Sequence, residues 1–158
     1  MTGDVTINGV DAYARYGVNF ESGALSALMT PPPTKDFIET NSRMVHGRKV
    51  ITKNPRYDSR EITLTFHLIA STKDEFLEKY QLFCDEVLAP GAFELKTRYQ
   101  PQRSVIENGQ VVTKEQPVYR LIYVSCSQFR QYMREMAVFS LRVSEPDPTN
   151  RGTTDKNA

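Results

Sequence analysis

The sequence contains no tryptophan, only two cysteines and two histidines, and almost no net charge. Cys84 and Cys126 do not form the pattern of a disulfide-stapled domain, and neither lies at a metal-ligand spacing from His46 or His67. We therefore expect two reduced, buried thiols and predict neither a metal site nor a cofactor. Twenty basic and nineteen acidic residues nearly cancel, which argues against a free nucleic-acid-binding protein and permits self-association.

The motifs of common catalytic sites are also absent from the sequence. No phosphate-binding loop, dinucleotide-binding glycine motif or nucleophile elbow occurs, and the carboxylates are scattered. Apolar runs are far shorter than the roughly 20 residues that span a bilayer, and the first residues do not have the pattern of a signal peptide. We predict that the protein is not an enzyme, has no small-molecule substrate and does not insert into a membrane.

The clearest strand is predicted at residues 60–68, where apolar and polar side chains alternate. The expected core face carries Ile62, Leu64, Phe66 and Leu68. The opposite face, expected to be exposed or to face a subunit, carries Glu61, Thr63, Thr65 and His67.

One helix is predicted at residues 72–89, because Thr72 and Glu75 have the spacing of a capping box and Pro90-Gly91 follows. Its apolar side chains recur at helical spacing, so we expect this face to pack on a sheet. The predicted apolar stripe comprises Phe76, Leu77, Tyr80, Phe83, Cys84, Val87 and Leu88.

Shorter alternating segments predict further strands at residues 5–7, 10–16, 18–21, 48–52, 93–97, 117–126 and 136–143. Residues 117–126 are apolar on both faces, which is typical of a central strand covered on both sides. Residues 129–134 are expected to form a connector, and Ala137, Phe139, Leu141 and Val143 to face the core. One helix among many strands predicts a mainly β, α+β fold of the β-sandwich or barrel type.

Two segments are predicted to contact other subunits. Residues 29–41 include three consecutive prolines, which favour an extended surface arm; an irregular loop is the alternative. Residues 104–113 predict a projecting hairpin turning at Asn108-Gly109. In this hairpin Ile106 would face Val111 and Val105 would face Val112, so both faces are apolar.

A hairpin that is apolar on both faces needs a partner unless it folds into its own core. The predicted interface residues are Met29, Pro31, Pro32, Pro33, Val105, Ile106, Val111 and Val112. We expect residues 1–145 to form a single domain that carries both segments, followed by a disordered polar tail at residues 146–158.

Several weak sequence positions taken together resemble a known family. They are Val5-Thr6-Ile7-Asn8-Gly9-Val10-Asp11, Tyr16-Gly17-Val18, a proline-rich arm before His46-Gly47-Arg48, residues 58–66, the helix aromatics Phe76, Tyr80 and Phe83, and residues 139–146. Spread over residues 4–146, this pattern resembles the distal tail proteins of siphophages and related tail-tube or baseplate ring proteins.

The resemblance implies a β-sandwich with one helix that assembles into a ring, usually hexameric, between the tail tube and the tip or baseplate. Its partners would be other copies of itself and other tail proteins, with DNA passing through the channel without sequence-specific binding. A phage or prophage gene would encode it, and it would assemble in the cytoplasm of the bacterial host and reside in the virion tail. Larger family members carry a second, C-terminal domain with adhesion machinery, which we do not expect here.

Two alternatives remain open at this point. The chain is also compatible with another structural tail part, such as a tube, completion or contractile-baseplate protein. A different class is a monomeric β-barrel that binds nucleic acid or sugar, because basic residues alternate with Tyr57 and Tyr99 in two stretches.

Overall fold

The computed structural model describes residues 4–36, 38–40, 43–44, 46–47, 49–51, 56–100 and 103–155. The helices are Ala12–Tyr16 (α1), Ala24–Met29 (α2) and Lys73–Phe83 (α3), and α3 continues into a π-helical turn, Cys84–Leu88. The strands are Val5–Ile7 (β1), Val10–Asp11 (β2), Val18–Phe20 (β3), Ile38–Thr40 (β4), Lys49–Ile51 (β5), Arg60–Ile69 (β6), Ala92–Thr97 (β7), Arg103–Glu107 (β8), Gln110–Glu115 (β9), Tyr119–Met133 (β10) and Met136–Glu145 (β11).

Seven of these strands form one antiparallel sheet in the order β2-β1-β7-β10-β11-β6-β3. Strands β4 and β5 form a separate two-stranded ribbon, and so do β8 and β9. The predicted β-rich α+β class is confirmed. The core lies on one face of the large sheet, where paired strands place their apolar side chains opposite each other, as in Phe66–Phe139 and Leu64–Leu141.

The predicted core faces of β6 and β11 are confirmed. All eight predicted side chains are buried: Ile62, Leu64, Phe66, Leu68, Ala137, Phe139, Leu141 and Val143. On the opposite face of β6 the prediction is wrong for His67, which is buried although Glu61 and Thr63 are exposed. His67 lies between β3 and β11 in the sheet, and its Nδ1 is 3.1 Å from the Glu21 carboxylate.

Helix α3 begins as the sequence predicts, with Thr72 Oγ1 accepting a hydrogen bond from the Glu75 backbone amide. The buried stripe is narrower than predicted, however. Phe76 and Phe83 are buried in the core, whereas Leu77 is exposed. Leu77 lies about 100° around a helix of 3.6 residues per turn from Phe76, so its side chain points away from the buried face.

The segment at residues 10–16 is a helix for most of its length, which corrects the predicted strand. Only Val10–Asp11 pairs with β1. The carboxylate of Asp11 then accepts hydrogen bonds from the backbone amides of Tyr13 and Ala14, so it caps α1 at its N-terminus. Capping by Asp11 thus favours a helix over the strand that the short alternation of apolar and polar residues predicts.

Strand β10 differs most from its prediction. It includes all but the last residue of the connector expected at residues 129–134, and it pairs with β11 as far as Met133 through three shifts of register. Ile122 and Val124 are exposed, so β10 is not covered on both sides. The apolar alternation of β10 correctly marks a strand, but among the described residues no second layer covers its outer face.

Gly17 ends α1 in a left-handed conformation, with φ of 69°. An added Cβ would overlap the backbone carbonyl oxygen of Ile69. We expect Gly17→Ala to lower the free energy of unfolding by more than the roughly 1–2 kcal/mol of a left-handed alanine alone. Urea denaturation measures the loss. Gly23→Ala is the matched control, because Gly23 has φ of 89° but open space around it; equal losses for both variants would contradict the close approach.

Candidate subunit interface

The β8–β9 hairpin has the turn that its sequence predicts. Asn108 and Gly109 both have positive φ, 52° and 76°, as a two-residue type I′ turn requires. Ile106 pairs with Val111 as predicted. Val105, however, pairs with Thr113 and not with Val112, because the register shifts by one residue and places Val112 in a bulge.

The hairpin presents apolar side chains to solvent. Ile106, Val111 and Val112 are 64%, 58% and 55% exposed. Within the described residues, β8 and β9 contact each other extensively and other elements only weakly. The hairpin therefore exposes three branched apolar side chains; the side chain of Val105 lies outside the described part.

The proline-rich arm is extended over residues 30–36 and is attached to the domain. Its backbone exchanges two hydrogen bonds of 2.8 Å with a neighbouring segment, Lys35 N–H to Arg56 O and Asp58 N–H to Pro33 O. Met29, at the end of α2, is 58% exposed. Pro31 and Pro33 are exposed and Pro32 is half-buried. The chain then forms the β4–β5 ribbon, while residues 37 and 41 lie outside the described part.

A buried cluster of charges holds the start of this arm. Arg60 donates to Glu145 at 2.5 Å and to the carbonyl oxygen of Thr30 at 2.7 Å. Arg151 donates two further hydrogen bonds to Glu145, at 3.0 and 2.8 Å. The Tyr119 ring lies under both guanidinium groups, 5.6 Å from that of Arg60 and 4.9 Å from that of Arg151. Three chain segments that are distant in sequence are thereby joined at one end of the sheet.

The C-terminal segment, residues 146–155, packs against the domain, whereas the sequence predicts a disordered tail from residue 146. The Arg151 carbonyl accepts from the Val118 amide at 2.9 Å, and Arg120 donates to the Asn150 carbonyl at 3.2 Å. Thr153 donates to Glu115, the last residue of β9, at 3.0 Å. The segment thus supports the base of the hairpin. In the sequence this segment is a polar run with a single arginine, and such a pattern does not predict packing against the domain.

A second polar cluster surrounds the buried carboxylate of Asp4. Tyr99 donates to Asp4 at 2.7 Å, and this hydrogen bond, with lesser help from Asn19 and the Arg98 ion pair, lowers the pKa of Asp4. Arg98 and Tyr99 belong to one of the two sequence stretches in which basic residues alternate with tyrosine. Both side chains bind Asp4. No described residues form a group of three or more potential metal ligands.

Both cysteines are free thiols, but the expectation that both are buried is wrong for Cys126. Burial raises the pKa of the Cys84 thiol above its usual value, which favours its protonated form. Cys126 is exposed, and both side chains line a groove beside α3. In the described part of the chain, no helix is both long and apolar enough to cross a membrane.

Glu86 on the π-helical turn ties α1 to the end of α3. It accepts hydrogen bonds from Arg15 Nε at 2.7 Å and Tyr16 Oη at 2.6 Å, which lower its pKa from 4.5 to about 2. Because the folded pKa is the lower one, this stabilisation is present above pH 4.5 and is lost as the pH falls towards about 2.

We expect Glu86→Gln to be less stable than the native protein at neutral pH and to lose less stability between pH 5 and pH 2. Urea midpoints across this range measure both effects. Glu78→Gln, at an exposed position of α3, is the control and should follow the native pH profile. A Glu86→Gln profile parallel to the native one would contradict the assignment.

No protein-family model and no curated protein matches the chain. The structure is similar to the crystal structure of the SPP1 Dit protein (gp 19.1), described as a paradigm of the hub adsorption apparatus in phages that infect Gram-positive bacteria. The TM-score is 0.57 at 10% sequence identity, and the match covers 92% of this chain and 50% of that one. The chain therefore spans about half the length of the Dit protein, and the similarity is one of fold.

Proposed function

We propose that the protein is a structural component of a phage tail, whose copies assemble into a ring between the tail tube and the baseplate or tip. The observation that carries the proposal is the exposed apolar surface of the β8–β9 hairpin on a fold similar to that of a phage hub protein. A projecting strand pair with this surface favours association, because burying apolar area and pairing open strand edges both lower the free energy.

The two candidate contact segments lie in different parts of the chain. The predicted arm, residues 29–41, starts at the last residue of α2, whereas the hairpin precedes β10. Contacts between unlike patches of identical subunits are heterologous, and such contacts close into a ring when the rotation between neighbours permits it. A stable contact of this kind should bury at least about 1,000 Å².

The interface in this proposal comprises Met29, Pro31, Pro32, Pro33, Val105, Ile106, Val111 and Val112. The ring is hexameric, DNA passes through its channel without being read, and the other partners are neighbouring tail proteins. The protein resides in the virion tail after assembly in the cytoplasm of the host. It acts through the geometry of assembly rather than through catalysis.

Light scattering combined with negative-stain electron microscopy tests this function. We expect the purified protein to give particles several times heavier than the 18.0 kDa chain, with the outline of a ring in micrographs. Dilution should shift the mass towards the monomer. A mass of one chain at every concentration up to the solubility limit would contradict ring formation and would favour a monomeric binding module.

A further inference from the structure

The outer edge of β10 is paired over only a short part of its length. Strand β7 pairs with Tyr119–Ile122, and the Tyr123 amide then donates to the Gly91 carbonyl at 2.7 Å. From Val124 to Met133 the only strand paired with β10, among the described residues, is β11 on its other edge. The position next to β10 beyond the start of β7 is therefore open to a further strand.

This open position coincides with a groove between β10 and the end of α3. The groove has a volume of about 360 Å³ and a mainly apolar lining. Tyr80 and Asp85 lie on its helical side, Cys126 and Phe129 on its strand side, and Phe139 of the core at its base. Phe129 and Cys126 are thus exposed where a strand is missing, above a buried Phe139, and this is an arrangement that accepts an added strand.

The β8–β9 hairpin has the properties that this groove requires. Ile106 and Val111 supply branched apolar side chains, and the exposed Lys114 carries a charge opposite to that of Asp85 at the groove. The hairpin ends at Glu115 and β10 begins at Tyr119. Cys126 lies about 23 Å further along β10, because a strand rises about 3.3 Å per residue. Weak contact between the hairpin and the rest of its own domain leaves it available to another molecule.

We propose that the hairpin of one copy docks in the β10 groove of the next copy and adds a strand to its open edge. This inference rests on the proposed function and specifies its contact. Each subunit gives one hairpin and receives one, so the contact is heterologous and repeats around a ring. The register shifts around Val124 and Ser127 limit the added strand to a short stretch, which prevents indefinite edge pairing.

Cysteine crosslinking tests this contact, because Cys126 already lies in the groove. In a Cys84→Ala background, Val111→Cys places a second thiol on the hairpin. Mild oxidation with copper phenanthroline should then join Cys126 of one copy to the new thiol of the next and give a ladder of covalent oligomers. Val10→Cys, at an exposed position of β2, is the control and should give no ladder.

Two variants that each keep one of the two thiols establish the direction of the contact. The first has Val111→Cys and Cys126→Ser, so its thiol is on the hairpin. The second has the native Val111 and Cys126, so its thiol is in the groove, and both variants contain Cys84→Ala. Each alone should give no linkage through the groove, and the mixture should give covalent dimers but no ladder. Peptide mapping should identify the link between positions 111 and 126.

The oligomer mass, measured by light scattering before oxidation, separates the two possible failures. A native-size oligomer without the 111–126 link overturns the groove contact and leaves the ring intact. A protein that is monomeric at every concentration and gives no link overturns both the contact and the ring.

Discussion

Replacing Glu145 with alanine is expected to lower the free energy of unfolding by about 3–5 kcal/mol, the usual loss when one partner of a buried ion pair is removed. Glu145 is completely buried and binds both Arg60 and Arg151. Arg151 has some access to solvent, but the Arg60 side chain is only 3% exposed. Without Glu145 a guanidinium group remains in the core with no carboxylate, and urea denaturation followed by circular dichroism measures the loss.

Glu61→Ala is the matched control for this experiment. Glu61 also pairs with an arginine of its own sheet, Arg142, but both side chains are about half exposed. Its removal should cost no more than about 1 kcal/mol, because solvent screens a surface pair. If the two variants lose the same stability, the charge cluster does not join the C-terminal segment to the sheet as the contacts indicate.

The double substitution Ile106→Asp with Val111→Asp is expected to abolish assembly and leave the domain folded. These two residues face each other across the hairpin and are both more than half exposed, so the monomer loses little packing. In an assembled contact the same positions would bury two unpaired carboxylates, which costs far more than the contact gains. Light scattering should report a monomer, and circular dichroism and the thermal midpoint should remain close to native.

Val10→Asp is the control for the hairpin variant, since it adds an acidic residue at an exposed apolar position of β2. It should assemble like the native protein. Assembly that survives the double substitution would exclude the hairpin as the contact, even if a ring forms through another surface. A double variant that loses its circular dichroism signal would show that the hairpin belongs to the core, contrary to its exposure.

The local sequence pattern correctly predicted the elements whose structure depends on residues close together in the chain. The alternation in β6 predicted its buried face, Thr72 predicted the start of α3, and Asn108-Gly109 predicted the hairpin turn. Each depends on side-chain period, capping or backbone conformation within a few residues. The same reasoning failed at residues 10–16, where an aspartate cap begins a helix.

Long-range pairing decided what the sequence pattern left open. Residues 129–133 are mostly polar or aromatic, and they are strand because β11 pairs with them in a bulged register. His67 is buried between β3 and β11, beside Glu21, which is distant in sequence. Neither partner is visible from the local alternation of apolar and polar side chains.

The sequence by itself determined a β-rich chain with a principal helix, a hairpin carrying exposed branched residues and no recognisable catalytic motif. Only the tertiary structure decided that β10 has an open edge beside α3 and that Arg151 closes a charge cluster with Arg60 and Glu145. The physical reason is that periodicity specifies which side of a strand is apolar. What lies against that side, or against the strand's edge, depends on segments that meet only when the whole chain folds.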